Sequence, residues 1–155
     1  MRTVAILAVS DVIAYDLSLA VEVFERVPLR TGGNGYAVQV CGTEPLVAAG
    51  PLRIGTDHGL DVLPEADLIV VPGCHDVTVE TPPDVLAALR TAYDAGTQIA
   101  SICTGAFTLA AAGLLDGRRA TTHWAAADHF RAAFPAVDLD TDVLCVDEGQ
   151  ILTSA

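Results

Sequence analysis

Ile-Ala-Ser-Ile-Cys-Thr-Gly-Ala-Phe-Thr-Leu-Ala-Ala-Ala-Gly occupies residues 99 to 113 of this chain. Its first residues form an apolar, strand-like run that stops at Cys103, and a small-residue helix starts directly after it. A residue on such a sharp strand-to-helix turn presents its side chain to a crevice. The first amides of the helix aim at the same point. Those amides and the helix dipole favour negative charge, which predicts a lowered pKa and a larger thiolate fraction for Cys103. The arrangement is that of a nucleophile elbow with sulfur in place of the serine oxygen.

Outward from the elbow, buried strands alternate with helices. Residues 3 to 9 are almost continuously apolar, as in a parallel strand covered on both faces. Residues 16 to 27 have helical spacing, with Leu17, Val21 and Phe24 on one face. Pro28 and Gly32-Gly33-Asn34-Gly35 mark a loop, Tyr36 to Cys41 alternates as a strand, and residues 46 to 57 read as a hairpin around Gly50-Pro51. Asp67 to Val71 is a second buried strand, ended by Pro72-Gly73. Pro82-Pro83 opens a helix that runs to about Ala95 and stops at Gly96. After the elbow helix come a turn at Asp116-Gly117, a short strand at Ala120 to Thr122, a helix from Ala125 to Phe134, and short strands near Leu144 and Ile151. The alternation predicts one α/β domain over residues 1–155, a three-layer sandwich on a mainly parallel sheet. The run ends just after a strand, with no helix to cover that side of the sheet, so a fragment of a longer protein is expected.

Composition limits the partners. The chain has 155 residues, 52% of them apolar, enough for one domain with a real core. Twenty acidic residues face eight arginines and no lysine, giving a net charge of −12. Only Arg118-Arg119 is even a basic pair, so the chain by itself is a poor DNA binder. No apolar run approaches membrane-spanning length, and the amino-terminal one, broken by Ser10-Asp11, reads as a core strand and not as a secretion signal. A cytoplasmic protein with reduced thiols and no membrane contact is expected. Cys41, Cys74, Cys103 and Cys145 show no zinc-site spacing, and Cys41 and Cys145 read as small buried hydrophobes. Neither a metal nor a cofactor is called for.

Ligands of open α/β sheets bind at the carboxyl ends of the strands, and several polar groups fall there. Asp16 follows the first strand. Gly73, Cys74 and His75 follow the strand ending at Pro72, Cys103 and Thr104 follow the elbow strand, and His123 follows Thr121-Thr122. Cys103 is read as a reactive thiolate or as a small residue suited to tight packing. Asp16 is read as an acid holding its proton beside a thiolate or as a plain helix N-cap. The amides of Cys74 and Thr104 offer an oxyanion hole or a carboxylate cradle, or are ordinary loop backbone. His123 lines the pocket or is structural. A Cys74–Cys103 disulfide, or a metal held by Cys74, His75, Cys103 and His123, gains little from the spacing. A cysteine peptidase or amidotransferase needs an activating imidazole, and the residue beside the thiol is Thr104.

Longer matches add a resemblance. Ile-Cys-Thr-Gly-Ala-Phe at 102 to 107, Leu-Ala-Ala-Ala-Gly-Leu-Leu-Asp-Gly-Arg-Arg-Ala-Thr-Thr-His-Trp at 109 to 124, Phe134-Pro135-Ala136-Val137, Val146-Asp147-Glu148-Gly149 and the ending at 151 to 155 all resemble the ThiJ/PfpI superfamily. Within it the chain looks most like the amino-terminal domain of AraC-family transcriptional regulators. The resemblance implies a flavodoxin-like, class I glutamine amidotransferase-like sandwich, a closing helix beyond Ala155, and then a helix-turn-helix domain that alone touches DNA. The chain would then be the ligand-sensing and dimerising part, probing an unknown small molecule with Cys103, Asp16, Gly73, Cys74, Thr104 and His123, as a homodimer without cofactor. Isonitrile hydratases of the superfamily also carry a Cys-Thr-Gly elbow and an acid near the first helix, which implies an alternative with Cys103 as nucleophile and Asp16 as proton donor. Peptidase members carry histidine directly after the cysteine, and Thr104 argues against that activity. Cys74 stands where many relatives have a second glycine.

Overall fold

From Val4 to Ala8 every residue of the first strand is fully buried, the mark of a strand covered on both faces. The computed structural model describes residues 1–30 and 32–155. Strand β1 (Arg2–Ala8) is followed by α1 (Ala14–Glu25), β2 (Tyr36–Gly42), the hairpin β3 (Leu46–Ala49) and β4 (Leu52–Gly55), and β5 (Leu68–Val71). Helix α2 (Pro83–Asp94), β6 (Gln98–Ser101), α3 (Gly105–Ala111) and β7 (Arg119–Ala120) come next. Helix α4 (Ala127–Ala133), β8 (Asp138–Leu139), β9 (Cys145–Asp147) and β10 (Ile151–Ser154) complete the order.

The central sheet runs β2-β1-β5-β6-β10-β9, parallel throughout except for β9 at the edge. Alternation along β1 divides the core. Ala5 and Leu7 join Ile69, Leu89, Leu109 and Phe130 under α2, α3 and α4. Val4, Ile6 and Ala8 meet Leu17 and Ala20 of α1 on the opposite face. This is the expected three-layer, flavodoxin-like sandwich, with strand ends β1, β5 and β6 side by side where a ligand would sit. No helix among the described residues is long and apolar enough to cross a membrane.

Three details depart from the sequence reading. Residues Leu60–Glu65 form a 3-10 turn with Pro64 inside it, an element that apolar periodicity does not signal. The short strand is Arg119–Ala120 and stops before Thr121, whose amide donates to Thr153 Oγ1 and not to a neighbouring strand's carbonyl. Cys145 is exposed, not buried: β9 is an edge strand on which only Val146 turns inward. Cys41, by contrast, is fully buried, as expected.

On the face that α1 shares, Leu19 and Val23 of α1, Leu68, Ile102 and Leu152 border an apolar groove of about 210 Å³. Leu19, Val23 and Leu152 are all exposed there.

Candidate functional site

Strand β6 delivers the chain to Ser101, and the turn Ile102–Thr104 redirects it into α3. Cys103 lies at the apex with φ of +54°, a left-handed conformation that side chains other than glycine rarely adopt. Its surroundings enforce that geometry. The Cys103 amide donates to Ser154 O at 3.0 Å, Thr122 Oγ1 donates to Cys103 O at 3.0 Å, and Gly105 N donates back to Ile102 O at 2.8 Å. A Cβ on Gly105 would lie 2.2 Å from Val71 O and 2.9 Å from Pro72 O, so only glycine lets α3 start this close to β5.

Asp16 is the third residue of α1 and is only 7% exposed. It caps nothing in its own helix; its Oδ2 accepts from Gly73 N at 3.1 Å. Gly73 is wedged between the two halves of the site. A Cβ there would come within 2.7 Å of Thr104 Oγ1 and 2.9 Å of Asp16 Oδ2. Thr104 Oγ1 accepts from Cys74 N at 2.9 Å and donates to Cys74 O at 2.7 Å, tying the loop after β5 to the elbow. The Cys74 amide is therefore engaged within the protein, while the Thr104 amide is directed at the Cys103 sulfur.

Burial pushes the Cys103 thiol up and the charge of Asp16 adds to the rise, against hydrogen bonds from Thr104. This reverses the direction expected from the helix amides. Helix α3 has only seven residues, and desolvation with an acid alongside outweighs its amides. Burial likewise raises Asp16 above the ordinary carboxylate value, against the Gly73 hydrogen bond and the positive charges that His123 and His75 can carry. Burial raises both groups, and the charge of Asp16 further opposes a thiolate at Cys103. Burial also raises Cys74, whose Sγ points toward Asp76 O at 3.8 Å.

The fold thus brings Cys103, Asp16, Gly73, Cys74 and Thr104 together beyond the ends of β5 and β6. His123 is half-buried; its Nδ1 accepts from Ala125 N at 3.3 Å and its ring stacks on Trp124 at 5.6 Å. It caps the turn that follows it and lies within electrostatic reach of Asp16. Among the described residues no three His, Cys, Asp or Glu side chains converge on a metal site, and all four cysteines are free. Sequence reasoning overlooked Asp11. At φ of +66° its carboxylate accepts from Asp76 N at 2.8 Å and its carbonyl from His75 N at 3.1 Å, which fixes the loop after Cys74. A polar pair, Ser10-Asp11, at the end of a buried strand was the available signal.

A model of the DJ-1/PfpI family matches residues 2–155. The HTH-type transcriptional regulator CdhR of Pseudomonas aeruginosa is 34% identical over 132 residues, covering 84% of this chain and 39% of that protein. The chain therefore spans about two fifths of that regulator. The isonitrile hydratase of Pseudomonas putida is 35% identical over 82 residues, 52% of this chain and 36% of that enzyme. An AraC family transcriptional regulator from Pseudomonas putida, solved by crystallography, shares the fold with a TM-score of 0.79 at 20% identity, covering 100% of this chain and 84% of that one.

Proposed function

We propose that this chain, which belongs to the DJ-1/PfpI family, is the ligand-sensing and dimerising domain of an AraC-family transcriptional regulator. The observation that carries the reading is the extent of the likeness: 84% of the chain aligns with a regulator, against 52% with the hydratase. The net charge of −12 fits a domain that leaves DNA to a separate helix-turn-helix segment of the same polypeptide. The apolar groove beside α1 suits a closing helix supplied by the polypeptide after β10. The ligand is a small molecule that meets Gly73, Cys74, Thr104 and His123 at the Cys103–Asp16 crevice, in a cytoplasmic homodimer. The test uses the intact polypeptide that contains this domain, in gel-shift titrations on its own promoter DNA. Binding tighter than to random DNA, with Asp16→Asn or Cys103→Ser altering a metabolite's effect on it, is expected. An intact protein with no preference for its promoter would overturn the reading.

One observation favours an enzymatic alternative: Cys103 and Asp16 lie near one another, and burial raises both above their ordinary values. In that chemistry the Cys103 sulfur bonds to the terminal carbon of an alkyl isonitrile, and the same carbon takes a proton from Asp16, whose carboxylate recovers one from the thiol. Water then adds to the thioimidate and the C–S bond breaks, which releases an N-alkylformamide and restores the thiol. Turnover of cyclohexyl isocyanide that vanishes in Cys103→Ser would establish this activity. Its absence in the intact protein would leave the regulator.

A further inference from the structure

A second binding site, one that the elbow does not explain, lies between α2, α3 and α4. It is a cavity of about 500 Å³ whose apolar wall includes Leu86, Phe107 and Phe134, within the size range of small-molecule sites. Phe107 packs edge-on against Phe130 at 4.9 Å and Phe134 at 6.0 Å, which fixes its ring on one side of the space. Val79, 66% exposed on the loop above, offers an apolar edge on the other. Polar character is confined to Thr78, Glu80, Thr81 and His129.

The charge at this cavity has one dominant sign. Among the described lining residues Glu80 is the one carboxylate and there is no arginine, and Asp76, whose anion is stabilised by hydrogen bonds from Thr78, stands close by in the chain. The chain as a whole carries −12. Such surroundings repel a carboxylate or phosphate and favour a cation that can also offer apolar surface. We infer that this cavity binds an organic amine carrying an aromatic ring system, its ring against Phe107 and Phe134 and its ammonium toward Glu80.

The site is placed to affect the elbow. Phe107 lies in the first turn of α3, the helix that starts two residues after Cys103. Val79, Glu80 and Thr81 also wall a smaller cavity of about 90 Å³ that contains Cys74. An occupant would bear on the loop that Thr104 ties to the elbow. The inference does not require the regulator reading, because binding is read directly on this protein.

Isothermal titration with tryptamine, and with indole-3-propionate as a ring-matched anion, tests it. Saturable tryptamine binding is expected, weaker by about tenfold or more for the anion. Ala111→Phe, which fills the space from the end of α3, should abolish binding while the thermal midpoint stays within about 2 °C. Glu80→Gln should shrink the preference for the amine to under about threefold while ring binding persists. No saturation below about 10 mM tryptamine, unchanged binding in a folded Ala111→Phe variant, or a full amine preference in Glu80→Gln would each overturn it.

Discussion

The crevice over the strand ends and the cavity between α2, α3 and α4 meet at opposite ends of one short helix. At the first residue of α3, Gly105, an added methyl would collide with the Val71 carbonyl at 2.2 Å. At its last, Ala111, the side chain is exposed and borders a space of about 500 Å³. The backbone that holds the reactive groups has no spare room behind it, and the larger space lies where there are few reactive groups. Rigid placement of Cys103 at a left-handed φ demands the crowding at one end. The other end is left free to vary, or to hold a molecule.

The largest effect should come from breaking the crowded end. Gly105→Ala places Cβ against backbone, which cannot swing aside, so about 3–5 kcal/mol of stability should be lost. Thermal unfolding would read this as a midpoint fall of roughly 10 °C. At the other end, Ala111→Ser should change stability by less than about 0.5 kcal/mol. Equal costs at the two positions would break the contrast. Next in size is Thr104→Val, which keeps the shape and removes both hydrogen bonds to Cys74. A loss of about 1–2 kcal/mol is expected, with faster hydrogen exchange at the Cys74 amide. Unchanged exchange there would mean that the bonds to Asp11, Ile13 and Asp16 fix the loop after β5 without help from Thr104.

The two ends were unequally legible in the sequence. The strands announced themselves because β1, β5 and β6 are short apolar runs ended by Ser10-Asp11, Pro72-Gly73 and Cys103. The elbow was legible for the same reason, since a cysteine between a strand and a small-residue helix is an unusual local pattern. Its electrostatics were not. The rise at Cys103 comes first from burial, which is a property of the packed molecule, and then from Asp16, distant in sequence. The cavity was invisible because Leu86, Phe107 and Phe134 look like any core residues until three helices leave a gap among them. Cys145 was misread because an edge strand exposes one face that a central strand buries.

That difference between cysteines gives a further measurement. In the folded protein, iodoacetamide should modify Cys145 first and Cys41 only on unfolding. Cys145 is exposed, whereas Cys41 is fully buried with its thiol pushed up to about 12 by desolvation. Native-state labelling of Cys41 at a rate like that of Cys145 would show that β2 opens far more readily than its pairing with β1 suggests.

The finest test concerns the coupling inside the crevice itself. Asp16 has its folded pKa raised by burial above the ordinary 3.8, so the folded state keeps this proton after the unfolded chain has released it. Its contribution to stability is complete below about pH 3.8 and is lost as pH rises through the raised folded value. Asn at this position can still accept from Gly73 N and has no such proton to lose. The stability of the wild type relative to Asp16→Asn should therefore fall with pH across that window and then level off. The thiol should respond in the opposite sense. The charge of Asp16 raises Cys103, so its removal should lower the thiol pKa and speed alkylation of Cys103 at neutral pH. A pH-independent stability difference together with unchanged alkylation would mean that the two groups do not sense one another. The crevice would then be a packing feature, and the cavity at the far end of α3 would be the better place to look for a ligand.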